Sequence, residues 1–370
     1  MNFLNGEFMP QILSVFRRID WPLFLSAVVL AGLGLLAIWS VDLAQDPDNF
    51  LNFKKQLMFV GAGLVLALLG AIFDYRALRS MSRALYVFGA VLLLAVVIFG
   101  TTIRGTRGWF QIGGFTLQPV EFAKILLIFA LAKYLSMKAH VIDLKVLGSV
   151  GVLLGVYAFL VMRQPDFGSA LVLVAIAIGM LLLTRVPRRY IAIGVVAALV
   201  VAVLGWSFFL QDYQKARLVS VINPESDPFG RGYNIRQSVI AVGAGGVFGR
   251  GLGEGSQSQL RFLPEAQTDF IFAVLAEQLG FLIVVLILAA YGVILWRLVA
   301  ISKRTTDGFA LFCVAGFFMV ILVQMVFNIG MNVGVLPIVG LPLPFVSLGG
   351  SALVANFLML GVVESIKVRG

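Results

Sequence analysis

The chain is short of charge. Only 12% of its 370 residues are Asp, Glu, Lys or Arg, where a soluble globular domain carries about one quarter. It has one histidine, His140, and one cysteine, Cys313. These exclude a histidine-rich metal cluster and an intramolecular disulfide. The first twenty residues lack the basic, then apolar, then small-residue order of a cleavable signal. "FMPQILSVFRRIDW" reads instead as an interfacial lead into an uncleaved anchor span. The glycines from Gly243 to Gly255 lack G-x-G-x-x-G spacing and follow no strand, which excludes a dinucleotide fingerprint. They suit a bent loop that lets something large approach. No internal repeat is evident, and the short connectors leave no room for a nucleotide-binding domain.

What the chain does have is apolar length: 60% of it is hydrophobic. Runs near twenty residues, enough to cross about 30 Å of hydrocarbon, fall at 22–41, 55–74, 82–101, 118–137, 144–162, 166–184, 189–209, 269–296, 308–330 and 349–366. The expected fold is all-α: a polytopic integral membrane protein of about ten transmembrane helices, one domain over 1–370. A large extracytoplasmic loop, about 210–268, separates the seventh and eighth spans. The eighth is long enough to be tilted or broken near Gly280.

Lys and Arg number 28 against 18 acids, and the membrane supplies the reason without nucleic acid. Arg17, Arg18, Arg76, Arg79, Arg83, Lys133, Lys138, Lys145, Arg185, Arg188, Arg189, Arg297, Lys303, Arg304, Lys367 and Arg369 all fall on the side of the N-terminus. By the positive-inside rule that side, with both termini, is cytoplasmic.

Charges near the opposite side are then the informative ones. An ionised carboxylate in hydrocarbon costs at least about 2.5–3.5 kcal/mol, yet "LPEAQTDFIFAVLAEQLG" carries Asp269 at the mouth of a span and Glu277 two turns in. Glu121 and Lys124, three apart in "QPVEFAK", share a helix face and can pair. Asp166 in "RQPDFGSA" can cap a helix after Pro165. Trp109 in "RGTRGWFQIGG" suits an interfacial belt, while Arg104 and Arg107 beside it could bind phosphate. The long loop supplies Lys215, Arg217, Arg231 and Arg236, with a short helix at "NIRQSVIAVG" expected to lie on the membrane. The uncharged "MNVGVLPIVGLPLPFVSLGGSALVANF" has three prolines and reads as a re-entrant external loop, about 331–348. Non-helical backbone at that depth survives only when buried in protein or lining a cavity. Asp269 is therefore expected to face a polar cavity open to the outside.

Five segments together, "GWFQIGGFTLQPVEFAK", "QPDFGSA", "DPFGRGYNIRQSVIAVGAGG", "GSQSQLRFLPEAQTDFIFAVLAEQLG" and "LPIVGLPLPFVSLGGSAL", resemble the SEDS family (shape, elongation, division and sporulation), in its RodA-type elongation branch. The resemblance covers nearly all ten spans. It implies a peptidoglycan glycosyltransferase of the cytoplasmic (inner) membrane that polymerises lipid II on the outer face. Transfer inverts the anomeric centre and releases undecaprenyl pyrophosphate.

Asp269 matches the family's essential acid and is the expected general base. Glu121, Lys124 and Trp109 match family positions, and with Arg217, Arg107 and Asp166 they form the expected substrate site. Lys124, then Arg217, would meet the pyrophosphate charge, with Glu121 positioning Lys124. Gln267 stands where the family often has histidine. The activated lipid makes a cofactor unnecessary, although a divalent cation (Mg²⁺ or Mn²⁺) bridging Asp269 and the pyrophosphate fits oxygen ligands. Implied partners are lipid II, the growing lipid-linked strand, a class B penicillin-binding protein and other elongation-complex membrane proteins. The competing readings are a lipid II flippase or small-molecule transporter, and a scaffold for wall enzymes.

Overall fold

The computed structural model describes residues 17–45, 49–103, 105–138, 142–184, 186–190, 192–194, 196, 231–260 and 262–370. Most of the expected seventh span lies outside these residues, as do Arg104, His140, Lys215 and Arg217.

The long helices are α1 (Trp21–Gln45), α2 (Leu51–Ile72), α3 (Tyr75–Phe99), α4 (Pro119–Lys138), α5 (Leu144–Met162) and α6 (Phe167–Leu182). After the undescribed stretch come α7 (Arg231–Ala244), the one-turn α8 (Ser256–Gln259), α9 (Ile271–Arg304), α10 (Gly308–Asn332) and α11 (Gly350–Arg369). Seven helices among the described residues are long and apolar enough to cross a membrane. Shorter α6 and charge-bearing α4 complete the nine expected spans that the described residues hold. Aspartates start four helices: Asp74, Asp143, Asp166 and Asp307 each accept a backbone N–H of the first turn, supplying the acceptor that a helix start lacks. The two largest boundary shifts are in α9, which runs to Arg304 rather than 296, and in α3, which begins at Tyr75 rather than 82, so Arg76, Arg79 and Arg83 sit on the helix, which Asp74 nucleates.

A small sheet accompanies the helices of this all-α fold. Strands β1 (Thr101–Ile103), β2 (Thr106–Ile112) and β3 (Phe115–Leu117) form an antiparallel meander between α3 and α4. Ile112 pairs with Phe115 across Gly113 and Gly114, both at positive φ, the backbone that a two-residue hairpin turn demands.

In lipid, helices associate through close packing rather than water exclusion. The α2–α11 contact shows it: a Cβ on Gly361 would stand 2.4 Å from the Ala67 carbonyl, so only glycine permits this approach. Helix α4 is buried along most of its length, including Glu121 and Lys124. Its Ile128 packs at Gly316 of α10.

The expected break in α9 is present, at Gly280 (φ 74°, ψ −167°). The glycine-rich loop after α7 docks onto that break. Arg250 N donates to Glu277 O (3.0 Å), Gly251 N to Gln278 O (3.0 Å) and Phe281 N to Gly246 O (2.9 Å). A Cβ on Gly249 would meet Gln278 O at 2.2 Å. The large body these glycines admit is thus the chain's own broken helix. Helix α7 forms where expected and packs on α9 and α10.

Basic residues gather on the face bearing the C-terminus. Arg76 Nη2 donates to Arg369 O (3.4 Å), Lys133 Nζ to Ser80 O (3.4 Å) and Lys367 Nζ to Arg18 O, while Arg79 lies 3.5 Å from Asp307.

Candidate active site

Asp269 lies on the opposite face, just before α9, whose N-cap is Phe270. The main chain leading to it is fastened residue by residue. Leu348 N donates to Gln267 O (2.8 Å), and Ser347 Oγ to Thr268 O (2.6 Å). The Asp269 carbonyl accepts from Asn328 Nδ2 (3.1 Å) and Asn332 Nδ2 (2.9 Å) of α10. The Asp269 side chain is half-buried. A Cβ on Gly340, which is exposed and has φ 69°, would stand 3.8 Å from its Oδ2. The carboxylate thus sits beside an exposed turn of the 333–349 segment while its backbone is held by neutral donors.

That segment is the expected re-entrant loop, and its second half is buried in protein: Leu341, Leu343, Phe345, Val346 and Ser347 are all buried. It rests against α1 at Gly34 and α6 at Gly168. Tyr291 of α9 donates to Pro344 O (2.5 Å), and Gln56 of α2 donates to Ser347 O (3.0 Å). This non-helical backbone therefore has protein donors and is spared the cost of bare lipid.

Gln267 extends the clamp. Its Nε2 donates to Asp42 Oδ1 (2.7 Å), its Oε1 accepts from Asn52 (2.7 Å), and Asp42 Oδ2 accepts Phe53 N (2.9 Å). A buried carboxylate at the end of α1 thereby caps α2 and fixes the residue two before Asp269.

Glu121 and Lys124 pair as expected, Oε2 to Nζ 2.7 Å, both almost fully buried on the first turns of α4. Lys124 Nζ has no well-directed hydrogen-bond acceptor among the described residues. An ammonium carries three donors, so this one keeps capacity for an anion. Asp166 caps α6, accepting from Ser169 N (2.9 Å) and Ser169 Oγ (2.7 Å), and also accepts from Gln118 Nε2 (3.4 Å). Gln118 precedes Glu121 by one turn, and Gly168 abuts Val339 and Leu341 beside Gly340. Asp269, Asp166 and the Glu121–Lys124 pair are thus joined through one loop at one end of the bundle.

Two expected members behave differently. Arg107 Nε donates to Gly100 O (3.0 Å) and its Nη2 to Ile98 O (2.8 Å). Its guanidinium braces the end of α3 and satisfies carbonyls that helix termination leaves open. Trp109 lies half-buried on β2, and its carbonyl accepts from Thr101 Oγ1 (3.0 Å).

Glu277 is met by the backbone of the loop that precedes α9. It lies before the α9 break, fully buried, and accepts from Gln257 N (2.8 Å) and Ser258 N (3.0 Å), capping α8. These bonds compensate its burial. Among the described residues no three His, Cys, Asp or Glu converge. A divalent cation at Asp269 would therefore draw its further oxygen ligands from main chain, water or the substrate pyrophosphate.

Sequence reasoning missed Asn328, Asn332 and Ser347. A signal existed: Gln324, Asn328 and Asn332 recur every fourth residue inside an apolar span, where polar side chains are costly unless used.

Known proteins agree with this architecture. The FtsW/RodA/SpoVE model of cell cycle proteins matches residues 21–369. The peptidoglycan glycosyltransferase MrdB of Escherichia coli (strain K12) is 36% identical over 352 residues, covering 95% of this chain and 94% of that protein. A solved chain from a peptidoglycan synthase complex that coordinates polymerization and crosslinking superposes with a TM-score of 0.82 at 32% identity, covering 94% of this chain and 97% of the other. The rod shape determining protein RodA of Thermus thermophilus gives 0.71 at 28% identity, covering 94% and 96%. This chain, a multi-pass membrane protein, belongs to the FtsW/RodA/SpoVE cell cycle family, the SEDS family that its motifs resemble.

Proposed function

We propose that this peptidoglycan glycosyltransferase of cell elongation polymerises lipid II, with Asp269 as its general base. The acceptor's C4 hydroxyl gives its proton to the Asp269 carboxylate as its oxygen attacks the anomeric carbon of the lipid-linked strand. The bond from that carbon to the pyrophosphate oxygen breaks, and undecaprenyl pyrophosphate leaves with the electron pair, inverting α to β. Negative charge grows on the pyrophosphate, and Lys124, held by Glu121, meets it with its unspent donors. Trp109 and Asp166 flank this site. Arg107, committed to α3, is left out of it.

The observation that carries this reading is the clamp on 267–269. It holds the main chain beneath Asp269 with neutral groups and sets the carboxylate beside an exposed turn. Base catalysis needs such a fixed origin. The test is glycan formation from lipid II by the purified full chain. Polymer from the native protein and little or none from Asp269→Asn is expected. Equal polymer from both would overturn the base assignment. No polymer, with lipid II crossing vesicle bilayers instead, would favour the flippase.

Orientation follows from the basic face: that face with both termini is cytoplasmic and Asp269 faces outward. A cysteine at Ser256 should label from outside, and one at Ser302 only after permeabilisation; Cys313 is buried and should not interfere. The crosslinking partner is a class B penicillin-binding protein, docked on α9, α10 and the long loop. Phe281, Leu282, Val285 and Trp296 of α9 are exposed to receive it.

A further inference from the structure

We infer that the face bearing the C-terminus carries a site for one anionic phospholipid, bound between α2, α3 and α11. A cleft of about 450 Å³ opens there, lined almost wholly by apolar atoms, with Leu66, Leu69, Leu78, Leu358 and Val362 along it and Tyr75 at its end. Two arginines close that end. Arg369 donates to Ala71 O (2.8 Å), Ile72 O and Ser365 Oγ (2.8 Å), so its guanidinium is spent on the end of α2. Arg76 lies over the Tyr75 ring (5.9 Å to its centre) and reaches Arg369 O, bridging α3 to α11 across the mouth.

Carboxylates match only part of the arginine charge there. Asp74 accepts the Arg76 backbone N–H, and Asp307 caps α10 beside Arg79. Among the described residues no carboxylate forms an ion pair with the exposed Arg76, and Arg79 is 46% exposed. Walls this apolar suit an acyl chain, and the arginine at their end suits an anionic headgroup. Basic pockets between helices at the cytoplasmic side hold anionic headgroups, so one chain fills the cleft and its phosphate meets Arg76 and Arg79.

The site does not depend on the polymerase reading, and its test does not use activity. The purified full chain is equilibrated in mixed micelles with equal phosphatidylglycerol and phosphatidylcholine, and retained lipid is read by native mass spectrometry. Phosphatidylglycerol should be retained preferentially, and Arg76→Gln and Arg79→Gln should each lower that preference about fivefold. Leu69→Trp, at an exposed position lining the cleft, should lower retention of both lipids. Lys145→Gln, on α5, should change nothing, which separates a local site from general charge. Equal retention of the two lipids by the native protein would overturn the proposal, as would an equal loss in Lys145→Gln.

Discussion

The two ends of the bundle bury an aspartate to different depths. At the C-terminal end, Asp20 is almost fully buried, and its carboxylate takes both Nε (2.9 Å) and Nη2 (2.5 Å) of Arg297. Its backbone N–H donates to Glu364 Oε2 (2.8 Å), fastening α1, α9 and α11 together. At the other end the main chain around Asp269 is fastened, by Asn328, Asn332 and Ser347, and the side chain is half-buried beside Gly340. The difference separates structure from chemistry. A fully buried carboxylate given to a guanidinium holds helices together, while a half-buried one beside an exposed turn is placed to work on a substrate.

Asp269→Asn should have the largest effect, since loss of a general base costs about 10²–10⁴-fold in rate. Folded yield and thermal midpoint should stay near native values. Asp20→Asn should do the reverse: breaking a buried pair costs about 3–5 kcal/mol, read as a lower thermal midpoint with native activity per folded molecule. Glu277→Gln keeps one acceptor for the α8 cap and should cost about 1–3 kcal/mol with little change in rate, although it lies only eight residues from Asp269. Smallest is Arg107→Gln, at about 1 kcal/mol of stability and no change in KM for lipid II. A large KM change there would return Arg107 to the substrate site.

Much of this was legible in the sequence. Apolar length placed the spans, because a bilayer imposes its thickness on every one of them. Positive φ could be anticipated at Gly280, where a glycine interrupts a long run. The sheet was legible in principle from the Gly113–Gly114 pair between Thr- and aromatic-rich segments, but span length dominated the reading. The partners of Glu277 and Asp269 were not legible. Gln257 and Ser258 reach Glu277, and Asn328 and Asn332 reach Asp269, across 19 to 63 positions of chain. Only the three-dimensional return of the loop and of α10 brings them together. The bonds of Arg107 to Gly100 O and Ile98 O were not legible either, because an arginine beside a headgroup surface and one that caps a helix look alike in sequence.

The most direct measurement compares Asp269→Asn and Asp20→Asn side by side: polymer formed from lipid II per folded molecule, with the folded fraction counted by gel filtration of the purified proteins. The account predicts that Asp269→Asn is fully folded and all but inactive, and that Asp20→Asn is scarcer but fully active molecule for molecule. Native specific activity in Asp269→Asn, or inactivity in well-folded Asp20→Asn, would contradict it.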